Sequence, residues 1–143
     1  MSNYPSESDE QRVIVQWCDA FKARYPELKL LYHVPNGGKR TAREAARFKA
    51  EGVKPGVPDL VLPVARNGYH GLYIELKRRK GGTVSDNQKE WIKALTEQGY
   101  RAVVCKGADE AISEITAYMT SSEMDLLARR GVEYLKSLRG ENI

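Results

Sequence analysis

Apolar and polar positions change period several times along the chain, and the changes divide it into elements. From Ser8 to about residue 24, Glu10, Ile14, Trp17 and Phe21 recur at helical spacing, with Ser8 and Gln11 placed as a capping box. Leu30–Val34 reads as a short strand closed by Pro35-Asn36-Gly37-Gly38. Thr41 and Glu44 form a second capping box, for a helix that ends near Gly52. On either side of a Gly-containing turn, Leu60, Leu62 and Val64, then Leu72, Ile74 and Leu76, alternate with period two. Ser85 and Gln88 cap a helix that ends at Gly99, with Gln88, Trp91, Ile92 and Leu95 on its inner face. Tyr100–Lys106 is a strand, and Ala108–Met119 a helix that turns Ala111, Ile112 and Ile115 inward. A last helix runs from about Ser122 to Leu138, with Leu127, Gly131, Leu135 and Leu138 as its apolar stripe and Met124 and Tyr134 beside it. The fold class is therefore α/β. Residues 1–6 are polar and expected to be disordered, residues 7–119 form one domain, and residues 120–143 form a helix that packs on that domain or on a second subunit.

The stretch from Pro58 to Lys77 (PDLVLPVARNGYHGLYIELK) carries the chemistry. On a strand Glu75 and Lys77 share one face and Leu76 takes the other. If both apolar sets face one core, Asp59 must lie on the face of Glu75. A plain two-residue turn at Asn67-Gly68 would pair Arg66 with Tyr69, and so Asp59 with Leu76, which is the wrong face. The core pattern therefore predicts an odd loop or a bulge, at Gly68 or Gly71, rather than a plain two-residue hairpin. Two carboxylates and an ammonium then meet at one end of the hairpin. Such carboxylates repel unless a proton or cation lies between them, which points to a divalent metal site.

At 143 residues the chain is long enough for one domain with a real core. The net charge of +4 and sequence pI near 9.1 favour a polyanionic partner, although an ordinary surface carries such charge as well. Cys18 and Cys105 sit inside apolar patterns without a neighbouring Cys or His, which argues for buried thiols of a reducing compartment and against zinc. No apolar run approaches a membrane span, so a soluble cytoplasmic protein is expected.

Several polar residues join this picture. Glu10 points where the core-facing residues point; it is either a first-turn acid favoured by the helix dipole or a further carboxylate of the metal site, with Glu7 as competitor. Asn36, Gly37, Lys39 and Arg40 make a Gly-rich turn that runs into a helix start with two cations. That arrangement holds a phosphate in some proteins and is a simple tight turn in others. His33 is either packed on its strand or a substrate contact. Arg78, Arg79 and Lys80 form a basic loop beside the acids, either a solvated loop or a guide for nucleic-acid backbone. Gln88 either completes its cap or reaches the acidic strands.

Pro58-Asp59 with Glu75-x-Lys77 resembles the catalytic hairpin of the PD-(D/E)xK nuclease superfamily. The longer stretches HVPNGGKR (33–40), EGVKPGVPDLVLP (51–63), GLYIELK (71–77) and SDNQKEW (85–91) resemble the VRR-NUC family, the virus-type replication-repair nucleases, over roughly residues 7–117. The resemblance implies a restriction-endonuclease-like core with a central mixed sheet of about four strands flanked by helices. It also implies a DNA endonuclease dependent on Mg²⁺ or Mn²⁺, with Asp59, Glu75 and the backbone carbonyl of Leu76 as metal ligands and Glu10 as the acid of the first helix. Lys77 would act on the attacking water and Gln88 would match the family's glutamine. Compact members of the family are associated with branched DNA such as four-way (Holliday) junctions, in DNA repair and in phage, as homodimers. A non-catalytic DNA-binding module, or a nuclease of the superfamily with another DNA or RNA substrate, are the alternatives.

Overall fold

The computed structural model describes residues 3–36, 38–120, 131 and 134–140. Its elements are α1 (Glu7–Phe21), a 3-10 helix (Pro26–Leu30), β1 (Tyr32–His33), α2 (Ala42–Ala50), β2 (Leu60–Leu62), β3 (Leu72–Lys77), α3 (Asp86–Glu97), β4 (Arg101–Lys106) and α4 (Gly107–Thr120). One four-stranded mixed sheet runs in the order β1-β2-β3-β4, with β3 and β4 parallel and the other pairs antiparallel. This is the expected α/β core. No helix among the described residues is long and apolar enough to cross a membrane.

The alternation along the strands separates two faces. Leu60, Leu62, Leu72, Ile74, Leu76 and Cys105 form the buried face, packed with Ile14 and Cys18 of α1 and with Ala111, Ile115 and Tyr118 of α4. Burial pushes the thiol of Cys18 up to about 11 and that of Cys105 up to about 12, with nearby carboxylates adding to the second.

Two element boundaries and one helix face differ from the sequence expectation. Ser6, rather than Ser8, caps α1: its hydroxyl accepts from the Asp9 N–H at 3.1 Å and its own N–H donates to the Asp9 carboxylate at 3.3 Å. The inner stripe of α1 is Glu10, Ile14 and Cys18, while Phe21 is exposed and stacks on Trp17 with ring centroids 4.9 Å apart. Proline at the start of the 3-10 helix takes Leu30 out of the strand, leaving only Tyr32 and His33 in β1. The expected C-terminal helix lies largely outside the described residues, Met124 and Leu127 included; residues 134–138 are helical, with Tyr134, Leu135 and Leu138 exposed.

The hairpin combines a two-residue turn with a bulge. Arg66 and Tyr69 exchange backbone hydrogen bonds of 3.2 and 2.8 Å around Asn67 (φ 56) and Gly68 (φ 83). That is a plain two-residue turn with both central residues left-handed, and it corrects the expectation of none. Yet the strand pairs are Leu60–Ile74, Val61–Tyr73 and Leu62–Leu72. Between Leu62–Leu72 and Arg66–Tyr69, residues 63–65 therefore oppose only residues 70–71, a one-residue bulge. It sits at Pro63 instead of Gly68 or Gly71, where the Val64 N–H turns back to the Leu62 carbonyl at 2.9 Å. Proline has no N–H for the ladder, so the strand departs from its partner there. Continued past Leu60–Ile74, this register sets Asp59 opposite Glu75, on the shared face that the core pattern requires.

Candidate active site

Glu75 and Lys77 project from β3 away from the apolar face and are nevertheless buried, at 2% and 7% exposure. The first turn of α3 is held against the run that leads into Asp59. Gly56 has φ 88, and a Cβ there would fall 2.6 Å from the Asn87 carbonyl carbon, so only glycine lets the two segments meet.

Asp59 is fixed from two sides. Its Oδ2 accepts from the Leu76 N–H at 2.8 Å, just beyond the last β2–β3 pair. Its backbone carbonyl accepts from the Val34 N–H at 2.8 Å and from His33 Nδ1 at 2.9 Å. His33 thus steadies the strand that carries Asp59, while its ring stays exposed.

Glu75 Oε1 accepts from Gln88 Nε2 at 2.8 Å and lies 3.4 Å from Lys77 Nζ. Gln88 serves both of its expected roles together: its Oε1 accepts from the Ser85 N–H at 2.8 Å to close the capping box, and its Nε2 reaches Glu75. The other oxygen of Glu75, Oε2, is buried with no hydrogen-bond partner. Burial, and then the neighbouring Asp59 charge, push the Glu75 carboxyl up to about 7, with Lys77 pulling the other way. A buried carboxylate oxygen without a donor is costly, and a second carboxylate beside it makes it more so. A hard divalent cation takes oxygen donors of this kind, so the residues present fit one.

Glu10 is buried to the same degree, at 2% exposure, but its surroundings differ. Oε1 accepts from Arg79 Nε at 3.0 Å and Oε2 accepts from the Ala108 N–H at the start of α4. Arg79 also lies 3.7 Å from Asp109. Among the described residues no three His, Cys, Asp or Glu side chains form a group that could hold a metal ion, so Glu10 stands apart from the Asp59–Glu75 pair in this conformation. Glu7, its competitor, is exposed.

The residues expected to contact nucleic acid lie on the 36–40 turn and on the loop that follows β3. Asn36 Nδ2 donates to the Val57 carbonyl at 3.2 Å, and Arg40 donates to the Pro35 carbonyl at 3.0 Å while its guanidinium lies 4.4 Å over the Phe48 ring. Lys39 is exposed, Arg78 is half-buried and Lys80 lies 5.2 Å over the Tyr4 ring. Gly37 lies outside the described residues. The Arg79–Glu10 and Glu10–Ala108 links span 69 and 98 residues, and no local pattern in the sequence signals them.

No curated protein matches the chain. A solved structure described as a "VRR_NUC domain protein" superposes with a TM-score of 0.73 and 39% sequence identity, over 85% of this chain and 93% of that one. Residues 6–109 match the VRR-NUC domain, a span that holds Glu10, the Asp59–Lys77 hairpin and Gln88. The chain therefore belongs to the VRR-NUC family and carries a nuclease-type, DNA-acting domain.

Proposed function

We propose that the protein is a divalent-metal-dependent endodeoxyribonuclease that hydrolyses phosphodiester bonds at Asp59, Glu75 and Lys77. The observation that carries this reading is the buried, unpartnered Oε2 of Glu75 beside a second carboxylate. A chain that only bound DNA would gain nothing by facing a phosphate with two acids. Asp59, Glu75 and the Leu76 carbonyl would hold Mg²⁺ or Mn²⁺, which at such sites offsets phosphate charge and makes a water acidic enough to attack near neutral pH.

The remaining steps belong to the side chains. Asp59, held by the Leu76 N–H, and Glu75, held by Gln88, present fixed oxygens rather than mobile ones. Lys77, close to Glu75, orients the attacking water and places a positive charge against the developing phosphorane. Glu10 ties α1 to Arg79 and to α4, and so keeps the frame of the site. We further propose a branched substrate, such as a four-way junction or flap, cut by a homodimer, in line with the resemblance of the sequence to compact VRR-NUC proteins. The test is cleavage of labelled linear, flapped and four-way DNA with Mg²⁺, Mn²⁺ or Ca²⁺. Asp59→Asn is expected to lower the rate on the order of 10³-fold, as loss of a main electrostatic stabiliser does, while circular dichroism stays unchanged. Undiminished cutting by the purified variant would overturn the reading.

A further inference from the structure

The chemistry above makes no use of a groove between α2 and α3. It encloses about 460 Å³, within the range of small-ligand sites of roughly 300–1,000 Å³. Phe48, Val57 and Trp91 give it an apolar, aromatic lining, and Asn36, Arg40 and Lys54 supply its polar groups. Both walls continue directly into the acidic site. Val57 lies two residues before Asp59 and accepts from Asn36. Trp91 lies on α3 three residues after Gln88, hence on the same side of the helix, and the Gln88 amide is bonded to Glu75.

We propose that this groove receives one unpaired nucleobase of the DNA, next to the phosphate being cut; the inference rests on the nuclease reading. A flat occupant fits, because Trp91 gives the lining an aromatic surface and the guanidiniums of Arg40 and Arg47 lie 4.4 and 5.1 Å over the Phe48 ring. Bases stack on both kinds of surface. It must be tethered to anions, because Arg40 and Lys54 line the groove and exposed Lys39 flanks Arg40. A paired base enters only at the cost of unstacking and unpairing, so the groove favours DNA with an unpaired position beside the cut. That property suits a branch point.

The experiment uses the Asp59→Asn full chain, so that no cleavage is needed, and oligonucleotides carrying 2-aminopurine at single positions near a flap or junction. Stacking in the groove quenches its fluorescence at one or two unpaired positions and not in the paired duplex. Trp91→Leu and, independently, Phe48→Leu remove the quenching while gel-shift binding persists. A second measurement uses the active protein. Replacing that nucleotide by an abasic one slows cutting about ten-fold, in keeping with the roughly 1–3 kcal/mol of base–aromatic stacking. Trp91→Leu slows the natural substrate similarly, and the two changes together give little further loss. DNA binding without quenching at any position, quenching that survives both substitutions, or fully additive losses would overturn the groove assignment and leave the nuclease reading standing. Absence of any DNA binding would overturn both, whereas a protein that binds and quenches but never cuts would overturn only the nuclease reading.

Discussion

Two glutamates, Glu10 and Glu75, are buried equally and live differently. Each is 2% exposed. Glu10 has a donor on each oxygen, an arginine on one and a helix-start N–H on the other. Glu75 has an amide and an ammonium crowded on Oε1 and nothing on Oε2. Burial alone therefore does not separate the two; the accounting of donors does. A satisfied carboxylate holds elements together, whereas an unsatisfied one beside a second carboxylate holds a place for a cation or a proton.

The sharpest way to break this comparison is to neutralise each acid in turn. Glu75→Gln should lower metal-dependent cleavage on the order of 10³-fold while thermal unfolding stays near that of the parent, because an amide removes charge from a site that carries too much of it. Glu10→Ala should do the reverse and cost about 3 kcal/mol in denaturant unfolding. It strips Arg79 of its buried partner and leaves the Ala108 N–H unmet, although the guanidinium is 43% exposed and recovers some solvation. Equal loss of stability from both variants would erase the distinction between them.

The comparison also bears on how much could be read from sequence. The Leu60–Leu62 and Leu72–Leu76 alternation fixes the apolar face, and the acid positions follow from it. The bulge was legible as a necessity, because only a one-residue shift from the plain-turn register brings Asp59 to the face of Glu75. Its place was not: Gly68 and Gly71 are the residue type that ordinarily marks a bulge, whereas the missing N–H of Pro63 decides it. Asn67-Gly68 is a strong turn signal, and the turn and the bulge coexist because three residues separate Leu62 from Arg66. The helical spacing of Glu10 and Ile14 showed that Glu10 faces inward. Its partners, 69 and 98 residues away, depend on tertiary packing that no local pattern encodes.

A subtler test titrates the unsatisfied acid. In metal-free protein the folded Glu75 carboxyl is pushed up to about 7, above its ordinary value of 4.5, so the fold favours the protonated form. The stability this lends is complete below the ordinary value and is lost as pH rises toward 7. Thermal unfolding in a chelator should therefore show Tm falling by a few degrees across that window, and Glu75→Gln should flatten the fall. Millimolar Mg²⁺ should raise Tm at pH 7.5 in the parent and not in the variant, since an ion that binds only the folded state stabilises it. A flat pH profile in the metal-free parent would mean that Oε2 has a partner in solution.

The smallest effect separates the two tasks of Gln88. Ser85→Ala deletes the hydroxyl that accepts from the Gln88 N–H at 3.2 Å, a loss of about 1 kcal/mol for a helix cap, but keeps the Gln88 amide on Glu75. Gln88→Ala weakens the same cap from the other side, since the Ser85 N–H loses its acceptor, and also removes the donor from Glu75 Oε1. Both variants should lose similar stability in urea. Only Gln88→Ala should lose cleavage, roughly ten-fold, the lower end of what removing a residue that orients a metal-binding side chain does. The loss should lie in kcat rather than KM, because the Gln88 amide is bonded to Glu75. If Ser85→Ala reduced cleavage as much, the cap itself would be holding Glu75 in place, and the hydrogen bond at 2.8 Å would be a consequence of the helix start rather than a cause of the carboxylate's position.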